Sequence, residues 1–210
     1  MACAICKTRR EKRHCPGVEG EICAICCGEQ REETVACPLD CEYLQIAHQH
    51  ESLVRKDPAG MPNHDFRITR DFLKKNVELI MTMQQALLVA SLSRDAIDHD
   101  IKEALDGLVR TYKTLESGLY YESRPANPIA AAVFDGMQQR VAEIRKAEDE
   151  RGVHKVTDTQ VITVLVFLQQ MEYAFNNGRR RGRCFLDNLR NTMEGVVDQP
   201  QPSSGSLLVS

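Results

Sequence analysis

The 210-residue chain lacks a dominant sign of charge: 27 Lys and Arg stand against 30 Asp and Glu, a net charge of −3. Bulk electrostatics therefore predicts no nucleic-acid, membrane-surface or acidic partner, and any such partner would have to meet a local patch. Long apolar runs are also missing. The longest, Val161 to Leu168, is interrupted by Thr163 and falls far below the ~20 residues needed to cross a bilayer. No charged-then-apolar leader stands at the start, where Cys3 arrives at once and Lys7 to Arg13 is basic. The expectation is a protein of the cytoplasm without a membrane segment. Sequence signs of catalysis are likewise absent: there is no phosphate-cradling glycine loop and no nucleophile elbow. Helical di-iron sites need paired Glu-x-x-His motifs, and the only one runs from Glu11 to His14. An enzyme is not expected.

Cysteine is nearly missing from most of the chain and dense at its start. Eight of the nine lie within the first 41 residues: Cys3, Cys6, Cys15, Cys23, Cys26, Cys27, Cys37 and Cys41. In a reducing compartment such a cluster reads as metal-binding rather than as disulfides. A Cys-x-x-Cys pair lets a tight turn aim two sulfurs at one tetrahedral ion, with Zn–S bonds of about 2.3 Å. Eight sulfurs make two complete four-sulfur sites, so two zinc ions are expected. Adjacent Cys26 and Cys27 should point apart and serve different ions, which favours interleaved sites. The working partition gives Cys3, Cys6, Cys23 and Cys26 to one ion and Cys15, Cys27, Cys37 and Cys41 to the other. Exchange of Cys23 or Cys26 with Cys27 stays open, as does replacement of a sulfur by His14 or His48. Pro38 after Cys37 predicts a helix start with Cys37 and Cys41 one turn apart on one face. That helix should carry Tyr43, Ile46, Ala47, His50, Leu53 and Val54 and stop before Asp57-Pro58.

The run Cys3-Ala-Ile-Cys6, Arg13-His14-Cys15-Pro16 and Ile22-Cys23-Ala24-Ile25-Cys26-Cys27 resembles a HIT-type zinc finger, a small interleaved treble-clef module with two zinc ions. The likeness covers about the first forty residues, and Gly17 and Val18 stand where that family has a further cysteine. The longer run through Cys37-Pro-Leu-Asp-Cys41-Glu-Tyr-Leu resembles the cysteine-rich start of uncharacterised bacterial proteins. Resemblance to HIT fingers implies protein–protein assembly rather than catalysis or base reading.

The chain is expected to be mainly α, a cysteine-rich zinc module followed by an antiparallel helical bundle. The module with its exit helix spans residues 1–56, a linker 57–65, the bundle 66–194, and a disordered tail 195–210. Apolar periodicity predicts one helix from about Thr69 to Leu92 and a second, capped by Ser93, running through Leu119. A third should follow Pro128. A fourth, from Thr157 or Asp158, is apolar all round and should be the most buried. A short last helix is expected from Arg183 to Met193. Asp95, Asp98, His99 and Asp100 read as a solvated helix end, where acids suit the dipole. Cys184 reads as a small buried hydrophobe.

Two basic clusters could grip phosphates: Arg9, Arg10 and Arg13 between the cysteines, and Arg179, Arg180, Arg181 and Arg183 between two helices. Stacking aromatics are scarce there, with only Phe185 close by. The expected role is a non-enzymatic, zinc-ordered adaptor that meets a protein partner or a second copy of itself. Nucleic-acid binding through the arginine loops is the alternative.

Overall fold

The computed structural model describes residues 2–51, 56–119, 121–152 and 156–197, with backbone alone at 194–197. The expected apolar positions Leu53 and Val54, and the expected tail from residue 198 onward, lie outside the described residues. The protein is mainly α. Among the described residues, a two-stranded antiparallel hairpin, β1 (Arg13–Cys15) and β2 (Gly20–Ile22), precedes eight α-helices. These are α1 (Ala24–Gln30), α2 (Glu42–Glu51), α3 (Arg70–Lys75), α4 (Val77–Leu92), α5 (Asp98–Glu116), α6 (Pro128–Arg151), α7 (Asp158–Phe175) and α8 (Cys184–Val197).

Helices α4 to α8 form the bundle around one apolar core that includes Leu87, Ile101, Leu105, Phe134, Met137, Leu165 and Phe185. Helix α5 packs most extensively against α7 and α6, and α4 lies across α6. The start of α7 is fixed by a reciprocal cap: Gln160 N–H donates to Thr157 Oγ1 at 3.2 Å, and Thr157 N–H to Gln160 Oε1 at 3.0 Å. Its run from Val161 to Val166 is buried throughout, as the all-round apolar pattern requires. Helix α6 begins with Asn127 as cap and Pro128 in the first turn, and ends at Gly152 with φ 66°.

Some boundaries differ from the periodicity. The expected Thr69–Leu92 helix is broken at Asn76, which leaves helical geometry at φ −115° and ψ 24°. Gln160 Nε2 donates to Asn76 Oδ1 at 2.9 Å, so the break is pinned to α7. Ser93 ends α4 instead of capping α5. The next helix starts after Ile97, whose N–H donates to Asp100 Oδ2 at 3.0 Å. The last helix runs past Met193, to Val197.

Nor do the acids at the start of α5 form a solvated end: Asp98 and Asp100 are buried. Asp100 takes the cap of its own helix and a second donor, Asn127 Nδ2, at 2.6 Å. Asp98 accepts the N–H groups of Phe185 at 2.9 Å and Leu186 at 3.1 Å. Those are first-turn donors of α8, which have no partner within their own helix. A side chain from one helix thus caps another.

The connector after the cysteine module is fastened to the bundle. Tyr173 Oη donates to Asp57 O at 2.8 Å, and Asn63 Nδ2 to Gln169 Oε1 at 2.6 Å. No helix among the described residues is long and apolar enough to cross a membrane.

Candidate metal centre

The first Cys-x-x-Cys pair sits in a tight knuckle. Lys7 N–H closes it onto Cys3 O at 2.9 Å, and Lys7 turns left-handed at φ 58°. The hairpin follows and is stitched to the knuckle by Ala4 N–H to Glu21 O at 2.8 Å. Strand β2 delivers Cys23 as the cap of α1, where Cys26 N–H donates to Cys23 Sγ at 3.4 Å. Cys26 then lies in the first turn of that helix. Knuckle and helix start face each other, and Cys23 N–H donates to Cys3 Sγ at 3.2 Å.

The sulfurs of Cys3, Cys6, Cys23 and Cys26 all lie within 4.8 Å of one another. A tetrahedral ion with Zn–S bonds of about 2.3 Å needs sulfurs roughly 3.8 Å apart, so the quartet fits one such ion. It is the set that the spacing assigned to one ion. Cys3, Cys23 and Cys26 are buried and cluster with Ile22, and the site is closed. The Thr8 hydroxyl and backbone N–H bring the Cys6 thiol down to about 5, whereas burial pushes Cys26 up to about 12. A metal ion would have to displace the Cys26 proton.

The remaining four cysteines behave differently. Cys15, Cys27, Cys37 and Cys41 line one hollow of about 20 Å³ together with Arg13, His14 and Tyr43. Their sulfurs do not converge as the first four do. Cys37 and Cys41 do not share a helix face either. Cys41 N–H closes a tight turn onto Pro38 O at 3.1 Å, and the helix starts only at Glu42. The turn sends Leu39 into the bundle core, where Gln45 Nε2 and Arg190 Nη2 hold its carbonyl at 3.1 Å and 3.0 Å. With its carbonyl taken by those two side chains, Leu39 sits in a turn, and the helix starts after it. Gly17 is set by a close approach: a Cβ there would stand 2.5 Å from Ala36 O.

Neither histidine stands in for a sulfur of the quartet. His14 is 66% exposed and contacts Glu21. His48 is buried and held at both nitrogens, Nδ1 by Asp187 Oδ2 at 3.0 Å and Nε2 by Glu32 Oε1 at 3.1 Å. Glu32 Oε1 also accepts Arg183 N–H at 2.6 Å, and Arg181 N–H donates to Glu32 O at 2.6 Å. Asn177 Nδ2 bridges Glu32 Oε2 at 2.7 Å and Glu51 Oε2 at 2.8 Å. This buried polar seam ties the cysteine module to α8 and to the loop before it. Sequence reasoning missed it, since Glu32, Glu51, Asn177 and Asp187 carry no local pattern that announces a partner.

The arginines divide. Arg13 Nη1 donates to Cys27 Sγ at 3.5 Å, and its guanidinium lies 4.3 Å from the Tyr43 ring centroid. Arg9 is hydrogen-bonded to Cys23, which raises its pKa. Arg179 pairs with Glu51 at 3.1 Å and donates to Arg31 O at 2.9 Å. Arg183 reaches Asp95 at 2.5 Å. Arg10, Arg180 and Arg181 are exposed. Arg13, Arg31 and Glu51 line one depression, and Arg179 is tied to its edge through Arg31 O and Glu51. A closed sulfur quartet bonded to a helical bundle is therefore the arrangement to interpret, and no family model, curated protein or solved structure matches the chain.

Proposed function

We propose that the protein is a non-enzymatic, zinc-ordered adaptor whose cysteine module stiffens one end of a helical bundle for a protein partner or a second copy. The observation that carries this reading is the closed quartet of Cys3, Cys6, Cys23 and Cys26. All-sulfur sites of this kind are structural, because no coordination position is left for substrate. The knuckle, hairpin and helix order supports the HIT-type reading of the module. The second zinc ion is assigned to Cys15, Cys27, Cys37 and Cys41, which share one hollow and would have to close around the ion.

The test uses the full chain. Metal analysis should find two zinc ions bound by these eight cysteines, and Cys23→Ser should lose one and disorder the module, since folding and metal binding are coupled. Cys37→Ser should lose the other. Light scattering and capture from the host lysate should show self-association or a partner that Cys23→Ser abolishes. A monomeric wild type that captures nothing would overturn the adaptor reading.

Nucleic-acid binding is the second reading, favoured by Arg13 and Arg31 sharing one surface to which Arg179 is bonded. Binding to random-sequence DNA or RNA should then weaken steeply with salt, because phosphate contacts release condensed counterions. It should also disappear when Arg180 and Arg181 are neutralised. Flat curves at low salt would remove this reading.

A further inference from the structure

Cys184 opens α8 and is only 2% exposed. Among the described residues its thiol has no hydrogen-bond partner. It is buried as a small hydrophobe would be, yet acidic groups stand near it. Burial and then the charges of Asp98, Glu32, Glu51 and Asp187 push this thiol up to about 12.

The geometry brings three donors together. A ring nitrogen of His48, a carboxylate oxygen of Glu51 and Cys184 Sγ all lie within 4.8 Å of one another. His48 and Glu51 are three residues apart on α2, the spacing that places two side chains on one helix face. The third donor comes from the first residue of α8, so two elements fixed against each other present the set. A cavity of about 520 Å³ opens directly onto His48 and Cys184. Its polar lining combines Gln45, Gln49 and Asn188 with the ion pair of Arg190 and Asp187.

We propose that His48, Glu51 and Cys184 form a further metal site, distinct from the N-terminal cysteine sites, for a divalent transition ion of the zinc class. Imidazole, carboxylate and thiolate together are borderline-soft donors that suit zinc and its neighbours. Three protein ligands leave a coordination position open, here toward the cavity, unlike the closed quartet. Whichever nitrogen of His48 takes the ion, the other keeps a carboxylate. Asp187 stays on Nδ1 or Glu32 stays on Nε2, the outer partner that orients a ligating histidine. Uptake releases the Cys184 proton, and the His48 proton from the ligating nitrogen, to solvent. Without the ion, the His48 ring occupies the space between the two carboxylates.

The full-length protein is first loaded with two equivalents of zinc, enough for the N-terminal cysteine sites alone, then titrated with cobalt(II). Wild type should take up one further equivalent with a single-thiolate charge-transfer band. Cys184→Ser should lose both the equivalent and the band while keeping the zinc of the N-terminal sites and the same helical circular dichroism. Glu51→Gln should weaken uptake at least about tenfold, as loss of a ligand implies. If Cys184→Ser does not fold, Glu51→Gln decides. Equal stoichiometry and spectra in wild type and the variants, or a cobalt spectrum without the thiolate band, would overturn the site. Zinc content of the quartet is read separately, so failure here and failure of the N-terminal sites are distinguishable.

Discussion

His48 in the cysteine module and Asp187 in the last helix are 139 residues apart in sequence and 3.0 Å apart in space. The opposite ring nitrogen meets Glu32 at 3.1 Å, so one buried imidazole bridges two carboxylates. Burial works against a charge on His48, but the hydrogen bonds to Asp187 and then Glu32 more than offset it and push its pKa up to about 9. Both nitrogens donate in that state.

A pH window follows from this raised value. A histidine whose folded pKa exceeds its unfolded value contributes stability that is fully present below the unfolded value, 6.5, and is lost as pH rises through about 9. The contribution is on the order of 3 kcal/mol by linkage. His48→Gln removes the cation and leaves Glu32 and Asp187 facing each other, which should cost roughly 3–5 kcal/mol at pH 6.5. Urea unfolding of wild type and variant, without added metal, should show the gap between them closing toward pH 9. A gap that stays constant with pH would mean that His48 is neutral in the folded protein.

Asp98 should show the opposite chemistry with the same direction of pH response. Burial raises its carboxyl to about 7, although Phe185 and Leu186 N–H groups pull the other way. The folded state therefore holds a proton that the unfolded state releases near 3.8, and stability falls as pH rises between those values. Asp98→Asn cannot titrate, and it offers one acceptor atom where two N–H groups need partners. The wild-type advantage over Asp98→Asn should be fullest below about pH 3.8, still present at pH 5 and lost by about pH 8. Parallel urea titrations at the two ends of that range check it.

Helix type and the cysteine quartet could be read from the chain because both are local. The all-round apolar run of α7, the Thr157–Gln160 cap and the paired Cys-x-x-Cys spacings each act within a few residues. What could not be read depends on contacts between distant segments. Asp98 looked like a solvated helix end because its partners, Phe185 and Leu186, arrive almost ninety residues later, with an index separation of 87 for the first. The turn after Cys37 looked helical because Pro38 favours a helix start, whereas burial of Leu39 in the bundle core overrides that preference. Cys184 is buried, as its reading as a small hydrophobe expects, but no pattern in its own helix shows the carboxylates around it.

Packing of the loop between α5 and α6 gives a prediction independent of charge. Gly107 lies in mid-α5, and a Cβ there would stand 2.5 Å from Ser123 O, a backbone atom. The same loop is pinned by Ser123 N–H donating to Thr111 Oγ1 at 2.8 Å. Helix propensity alone would make Gly107→Ala stabilising by up to about 1 kcal/mol. The collision should win, since overpacking costs about 1–3 kcal/mol and here the obstacle is backbone. Thermal unfolding should therefore show a lower midpoint for Gly107→Ala. A higher midpoint would mean that the loop yields without loss.

The arginine loop should separate into structural and free cations. Arg179 is three-quarters buried, with 25% of its side chain exposed. It pairs with Glu51 at 3.1 Å and holds Arg31 O at 2.9 Å. Removing it leaves a three-quarters-buried carboxylate with Asn177 as its remaining donor and a carbonyl short of a donor, at a cost of roughly 1–3 kcal/mol. Arg180 and Arg181 are exposed, and the hydrogen bond that Arg181 gives to Glu32 comes from its backbone N–H. Surface substitutions of this kind usually change stability by less than about 0.5 kcal/mol. Arg179→Gln should accordingly lower the urea midpoint, while a paired Arg180→Gln and Arg181→Gln variant should unfold like wild type. That second variant then isolates any nucleic-acid binding from folding: lost binding with an unchanged midpoint would assign phosphate contact to these two guanidinium groups.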